Sequence, residues 1–258
     1  WVYLGLSGQF VNRAGCCRRP INRYRHGIAQ LIRFVLLLLR RFLLRFDLDP
    51  GDLPPLRVFG PPPTVKFVDR LFGKEGAFLP DIVARREHPI SHHGHVGRGG
   101  TLPRPGLKVH ALDLESGATV EGKCWKAKAV QVPHVDPYLT SLAYRIDSDN
   151  GSVLFLCDSA DCPELRQLAK GVNTFVTGLS VRNFKETPED ASHPIRGVSA
   201  DISEVVDIAT EAGVSRIVVI HCGSPNSEEI VDRLHRGYGE KGFGGSVVRP
   251  DELTTVDL

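Results

Sequence analysis

Three residues whose side chains commonly bind metals stand at the ends of predicted β-strands. They are His134, Asp158 and His221, and each closes an apolar or β-rich run. Neutral imidazole and carboxylate groups suit zinc and similar divalent ions. A carboxylate can bridge two ions about 3.5–4 Å apart, and such a pair activates a hydroxide. We therefore predict that the three side chains converge on a metal site at one edge of a sheet. The alternative is that each is a polar cap on a core strand.

The runs around these residues predict the elements that position them. Residues 107–114 and 124–132 alternate in the manner of strands. Ser141–Ile146 and Ser152–Leu156 are joined by Asp149-Asn-Gly151, a typical hairpin turn. Further along, helices are predicted at 163–169, 200–212 and 227–234, and strands at 173–177, 216–220, 246–249 and 253–256. Upstream, the pattern predicts a strand over 56–59, a helix over 64–72 and an irregular loop over 75–105.

This order of elements predicts the fold class. Hairpins come first, and strands then alternate with helices, which favours an α/β layered sandwich with helices packed outside. The chain has 258 residues, of which 41% are hydrophobic, enough for one large domain or two small ones. A net charge of +2 demands neither nucleic acid nor membrane as a partner. The six cysteines include no CxxC motif, so they do not indicate a zinc finger.

The first 52 residues form an atypical Leu/Arg-rich segment, and we place the folded domain at residues 53–258. Residues 31–46 use only Leu, Arg, Phe, Ile and Val. This run is interpreted as a buried helix or a corrupted segment, with a membrane-surface helix as the alternative. Arginines interrupt it before the roughly 20 apolar residues that a membrane span needs. The chain lacks methionine and a secretory signal, so we expect a fragment or processed piece of a cytoplasmic protein.

Several motifs together resemble the metallo-β-lactamase-fold hydrolases, and most closely their ribonuclease Z-like branch. The motifs are Gly60-Pro-Pro-Pro-Thr64, Val132-Pro-His134, Leu142-Ala-Tyr-Arg-Ile146, Cys157-Asp158-Ser159, Leu168-Ala-Lys-Gly171 and the run Ala212–His221. The resemblance covers about residues 53–258 and implies an αββα sandwich with a two-zinc site at its rim. It also implies that His134 binds the first ion, Asp158 bridges both ions and His221 binds the second.

The chain departs from that family pattern in three places. The signature His-x-His-x-Asp-His, expected upstream of residue 53, is absent, and so are the strands before it, which makes the sandwich N-terminally incomplete. Cys157 stands where the family has glycine. Gly197 stands where the family often has a histidine that assists the leaving group, so His193, four residues upstream, is the candidate for this catalytic role. The alternative is that His193 is an ordinary loop residue.

Two functions follow from these observations. The first is a metal-dependent hydrolase, impaired in this chain, that cleaves a phosphodiester or ester in a small molecule or a nucleic acid, with one or two zinc ions as cofactor. The second is a catalytically inactive homologue that acts as a binding or structural protein. An exposed sheet edge left by the missing strands makes a homodimer possible. The cluster His92-His93-Gly-His95 is interpreted as a solvated loop, with adventitious metal binding as the alternative.

Overall fold

The structure is a computed structural model that describes residues 55–180, 194–222, 227–237, 242–250 and 256. The described residues fall into two compact units. The first contains residues 55–59 and 63–112, and the second contains residues 60–62 and everything described from 113 onwards. The proposed division into residues 1–52 and 53–258 stays a prediction, because the first segment lies outside the described residues.

The first unit carries three helices beside a short two-stranded sheet. The sheet pairs β1 (Leu56–Gly60) with β2 (Val109–Asp113), and the helices are α1 (Thr64–Phe72), α2 (Leu79–Glu87) and α3 (Pro89–Gly97). The prediction of an irregular loop over 75–105 is therefore wrong. Pro80 and Pro89 lie in the first turns of α2 and α3, where a missing N–H costs nothing. His88 caps α3, since its Nδ1 accepts a hydrogen bond from the Ile90 N–H at 3.2 Å.

The second unit is built on a seven-stranded sheet in sequence order. Its strands are β3 (Thr119–Glu121), β4 (Trp125–Val132), β5 (Ser141–Ser148), β6 (Gly151–Phe155), β7 (Thr174–Leu179), β8 (Arg216–Cys222) and β9 (Ser246–Val248). Strands β3 to β6 pair antiparallel, and β6 to β9 pair parallel. The predicted hairpin is confirmed, with Gly151 at φ 140° directly after the turn, a conformation that favours glycine. Strand β3 was missed because it has only three residues.

Three helices connect the parallel strands of this sheet. They are α4 (Pro163–Ala169), α5 (Ile202–Ala212) and α6 (Ser227–Arg236), close to the predicted positions. Alternate strand residues share one hydrophobic core with apolar residues of the helices. From the sheet these are Val130, Val132, Ala143, Leu154, Phe175, Leu179, Ile217 and Val219, and Leu156 directly after β6 joins them. The mixed α/β class is therefore confirmed. The strand predicted at 253–256 lies almost wholly outside the described residues.

Helix α5 begins and ends with the signals that its sequence predicts. Asp201 and Glu204 form a capping box, in which each side chain accepts a hydrogen bond from the backbone N–H of the other. Gly213 ends the helix in the left-handed conformation at φ 72°. Among the described residues, no helix is long and apolar enough to cross a membrane.

Candidate active site

Three neighbouring parallel strands bring their carboxyl ends to one edge of the sheet. Backbone pairing continues beyond β6, because the Leu156 N–H donates to the Val176 carbonyl and the Gly178 N–H donates to the Cys157 carbonyl, both at 2.8 Å. Asp158 follows this extension, and His221 is the penultimate residue of β8. Ligand sites in open parallel sheets form at such carboxyl ends. The edge of β6, β7 and β8 is therefore the place for a site.

Asp158 and His221 meet at this edge. His221 Nε2 lies 3.1 Å from Asp158 Oδ2, and the two side chains are 61% and 23% exposed, respectively. The hydrogen bond that the His221 ring donates to the Asp158 carboxylate raises the pKa of His221 above its ordinary value, while partial burial works in the opposite direction. Two of the three predicted residues are thus in direct contact across β7, although 63 positions separate them in the chain.

Gly178 makes this contact possible. A Cβ atom at position 178 would lie 2.4 Å from the Cys157 carbonyl oxygen, 2.9 Å from Asp158 Oδ1 and 3.1 Å from the His221 carbonyl oxygen. The first two separations are shorter than real Cβ contacts. Any larger residue would therefore displace the backbone that carries the pair. A glycine inside a strand is a signal of close backbone approach, but the strand predicted over 173–177 ends one residue before Gly178.

His134 lies on the loop after β4, and a hydrogen bond fixes its ring. Nδ1 is 2.7 Å from the Val198 carbonyl oxygen. A carbonyl only accepts hydrogen bonds, so Nδ1 carries the proton and the neutral ring keeps a lone pair on Nε2. A backbone carbonyl often orients metal-binding histidines in this way. The role of Val198 was not predicted, since no local pattern signals a carbonyl partner 64 positions away.

Backbone hydrogen bonds connect the loops of His134 and Asp158 to the start of α5. The Ala160 N–H donates to the Pro133 carbonyl at 3.1 Å, which ties the two loops together. The Ala200 N–H donates to the Ser159 carbonyl at 2.6 Å, and the Ser180 N–H donates to the Ala200 carbonyl at 2.8 Å. The three segments therefore form one framework around the candidate site.

The complete three-ligand site stays a prediction. Across residues 55–180 and the described segments after them, no group of three or more His, Cys, Asp or Glu side chains is placed to hold a metal ion. Asp158 and His221 form a pair, and His134 lies on the adjacent loop. His193, the candidate leaving-group residue, lies outside the described residues.

Cys157 lies where the family pattern has glycine. Its side chain is half-buried, and burial, followed by the neighbouring charge of Asp158, raises the pKa of its thiol. The thiol is thus the form present at neutral pH, whereas metal binding requires the thiolate. Cys157 is therefore a poor metal ligand.

The histidine cluster at 92–95 is helical, not a solvated loop. Its residues lie in α3, where His95 is buried with 2% of its surface exposed. His95 Nε2 lies 3.1 Å from the Thr101 carbonyl oxygen, and His92 Nε2 lies 2.7 Å from the Arg86 carbonyl oxygen. These contacts hold the turn after α3 and the end of α2. The loop interpretation failed because the helix-starting role of Pro89 was overlooked.

Comparisons with known proteins give matches to curated relatives and solved structures. Ribonuclease Z of Mycobacterium marinum is 28% identical over 229 residues, covering 86% of this chain and 73% of that protein. A putative ribonuclease Z of Mycobacterium tuberculosis is also 28% identical over 229 residues, covering 86% of this chain and 91% of that protein. No protein-family model matches the chain.

Among solved structures, the metallo-β-lactamase fold protein YhfI of Bacillus subtilis has a TM-score of 0.43 at 12% identity, with 57% and 55% of the two chains covered. The short form of human tRNase Z has a TM-score of 0.38 at 11% identity, with 66% and 62% covered.

The molecule is a mixed α/β protein, and its motifs resemble those of the metallo-β-lactamase class. Within that class, its resemblance to the ribonuclease Z-like branch is confirmed by relatives that match along 86% of its length. The first metal-binding signature of that branch is absent from the sequence.

Proposed function

We propose that this protein is a metal-dependent phosphodiesterase of reduced activity, with nucleic acid as the substrate. The contact between Asp158 and His221 at the carboxyl ends of neighbouring strands is the observation that carries the proposal. Relatives named ribonuclease Z support a nucleic-acid substrate. The missing signature supports reduced activity, because it would supply most of the ligands for two ions.

The chemistry of the donor groups fits part of a zinc site. Asp158 offers carboxylate oxygens, and His221 offers an imidazole nitrogen within 3.1 Å of them. In its neutral form His134 offers the Nε2 lone pair, because Nδ1–H is engaged with the Val198 carbonyl. A catalytic zinc ion commonly has three protein ligands, so we propose one ion held by His134, Asp158 and His221 in place of the two-ion centre.

Each residue then has a separate task. When bound, zinc supplies a hydroxide at neutral pH and stabilises charge on the phosphoryl group. Asp158 orients the His221 ring and favours its protonated form in the absence of metal. Val198 fixes the His134 ring, and Gly178 keeps the strands close enough for the pair to meet. His193 is the proposed leaving-group residue, on sequence position alone.

The second candidate function is an inactive homologue that binds without cleaving. The absence of the His-x-His-x-Asp-His signature favours it, and so does the lack of a three-donor group among the described residues. The predicted homodimer would suit such a role and stays a prediction. Metal content and turnover separate the two functions.

The test is zinc analysis of the purified protein together with hydrolysis of bis(p-nitrophenyl) phosphate. We expect near-stoichiometric zinc and slow hydrolysis by the wild-type protein. Asp158→Asn and His221→Ala should each abolish both, because a site with three ligands does not tolerate the loss of one. His110→Ala is the matched control, since His110 is exposed on β2.

The outcomes separate the two candidate functions. A folded wild-type protein with neither zinc nor hydrolysis contradicts the hydrolase and supports the inactive homologue. Hydrolysis that survives in Asp158→Asn would show that the activity comes from another site or a contaminant. A circular dichroism spectrum of each variant establishes that it is folded.

A further inference from the structure

We propose that Tyr138 stacks on a base of a single-stranded nucleic-acid substrate beside the candidate site. The inference rests on the proposed function and names its substrate class more closely. It starts from the loop of residues 133–140, which connects β4 to β5 and contains His134. All residues of this loop after His134 are exposed. Its apolar residues therefore indicate a contact with a binding partner.

The exposed apolar surface of this loop is concentrated at its tip. Tyr138 is 84% exposed, Leu139 is 55% exposed and Val135 is 38% exposed. Tyr138 is the most exposed of the large hydrophobic residues found exposed in the described part of the chain. Single exposed apolar residues are normal on protein surfaces. Three in a run of five, beside the candidate metal ligand His134, indicate a binding surface.

The base of the loop is held while its tip projects. The Pro133 carbonyl accepts a hydrogen bond from Ala160, and the His134 ring donates to Val198. Within the tip, the Tyr138 N–H donates to the Val135 carbonyl at 3.0 Å and closes a turn. Four residues span at most about 14 Å, so Tyr138 stays within that distance of His134. The ring is thus presented close to the candidate site.

The residues at the loop tip are suited to contact a nucleic-acid base and not a phosphate. The tip contains Asp136 and no cationic residue, so it is not suited to hold a phosphate. Aromatic rings stack on the bases of single strands with little dependence on sequence. Arg196, exposed two residues before Val198, provides positive charge for the phosphates on the neighbouring segment.

Other occupants suit this tip less well. A small molecule binds in a concave pocket, whereas this ring protrudes. A stable protein partner needs roughly 800 Å² on each side, from about 20–30 residues, and a tip of five residues is far smaller. One planar base needs only one ring face. A protein partner is therefore treated as an outcome of the test.

The experiment measures binding of two fluorescein-labelled oligonucleotides to the full chain in EDTA, so that nothing is cleaved. One is a short single-stranded RNA and the other is an abasic strand of equal length. We expect wild-type protein to prefer the RNA. Tyr138→Ala should weaken RNA binding roughly 5- to 150-fold, the range found for the loss of one stacked base. It should leave abasic binding and the salt dependence unchanged, because no phosphate contact is lost.

Conservative variants and a distant control make the result specific. Tyr138→Phe and Tyr138→Trp keep a stacking ring and should bind RNA like the wild type. Phe67→Ala removes an aromatic ring that is 47% exposed on α1 and should change nothing. A Tyr138→Ala variant that binds RNA as tightly as wild type, or that loses abasic binding equally, overturns the inference. Tyr138-dependent capture of a protein partner also overturns the inference if the wild-type protein shows no preference for RNA over the abasic strand.

The inference and the proposed function fail in different ways. Wild-type protein that hydrolyses the small diester but does not distinguish RNA from the abasic strand keeps the hydrolase and overturns the stacking role. Protein without zinc and turnover whose RNA binding still depends on Tyr138 keeps the stacking role and contradicts the hydrolase.

Discussion

At the scale of single residues, the candidate site depends on Gly178, a residue without a side chain. Asp158 and His221 approach each other across β7 only because position 178 carries no Cβ. In Gly178→Ala the new methyl group meets backbone at 2.4 Å, so the strands must separate. We expect a loss of about 1–3 kcal/mol in the free energy of unfolding, as in other overpacked cores. Zinc affinity should fall about 10- to 100-fold, as when metal ligands lose their support.

Gly244→Ala is the matched control for this substitution. A Cβ at position 244 meets nothing within 4 Å, and its backbone is not in the left-handed region. Urea denaturation measures the stability of both variants, and a competition assay with a zinc-binding dye measures the affinity. If Gly178→Ala binds zinc as tightly as Gly244→Ala does, the role assigned to Gly178 is wrong.

At the scale of elements, the beginning of α5 links helix stability to the site. Asp201 is fully buried, and its Oδ1 accepts hydrogen bonds from the Glu204 N–H at 2.9 Å and the Ser203 hydroxyl at 2.7 Å. The residue before it, Ala200, binds the Asp158 loop through the Ser159 carbonyl. A frayed helix start would therefore loosen the site framework as well as the helix.

Asp201→Ala should cost about 0.5–2 kcal/mol of stability, the usual range for losing an N-cap. We expect amide hydrogen exchange to accelerate at Ala200 and at Ser180, whose amides are bonded within this framework. Thr210→Ala, an exposed substitution on the same helix, is the control and should leave both quantities unchanged. Faster exchange confined to α5 would contradict the link between the cap and the site.

Local signals predicted most of these elements. Asp149-Asn-Gly151 predicts the β5–β6 hairpin, and Gly213 predicts the end of α5, because each depends on neighbours in the chain. The helices α2 and α3 fall in the segment predicted as an irregular loop, and they begin with Pro80 and Pro89 in the first turn, where proline is favoured.

The candidate site was predictable in part. Strand ends and residue types selected Asp158 and His221, and parallel pairing on both sides of β7 brings them together. The carbonyl of Val198 and the close approach at Gly178 are long-range features of packing. No pattern within one segment encodes them, so the sequence alone indicates the ligands but not what orients them.

At the scale of the whole molecule, the sheet of the second unit has two different faces. Ala143 and Leu154 point into the core shared with the helices, whereas the alternating neighbour Tyr144 belongs to the opposite face. Burial raises the pKa of Tyr144 from 10.0 to about 12. Burial of the ring therefore disfavours a charge on Tyr144, and this gives the stability of the fold a dependence on alkaline pH.

The direction of this dependence follows from proton linkage. Tyr144 holds its proton more tightly when folded than when unfolded, so its contribution is fully present below about pH 10 and is lost as the pH rises towards 12. We expect the free energy of unfolding of wild-type protein to fall by up to about 2 kcal/mol more than that of Tyr144→Phe over this interval. Tyr138→Phe, which alters an 84% exposed ring, should follow the wild type. Urea denaturation at a series of pH values gives the three curves, and parallel curves for wild type and Tyr144→Phe would show that water reaches this face of the sheet.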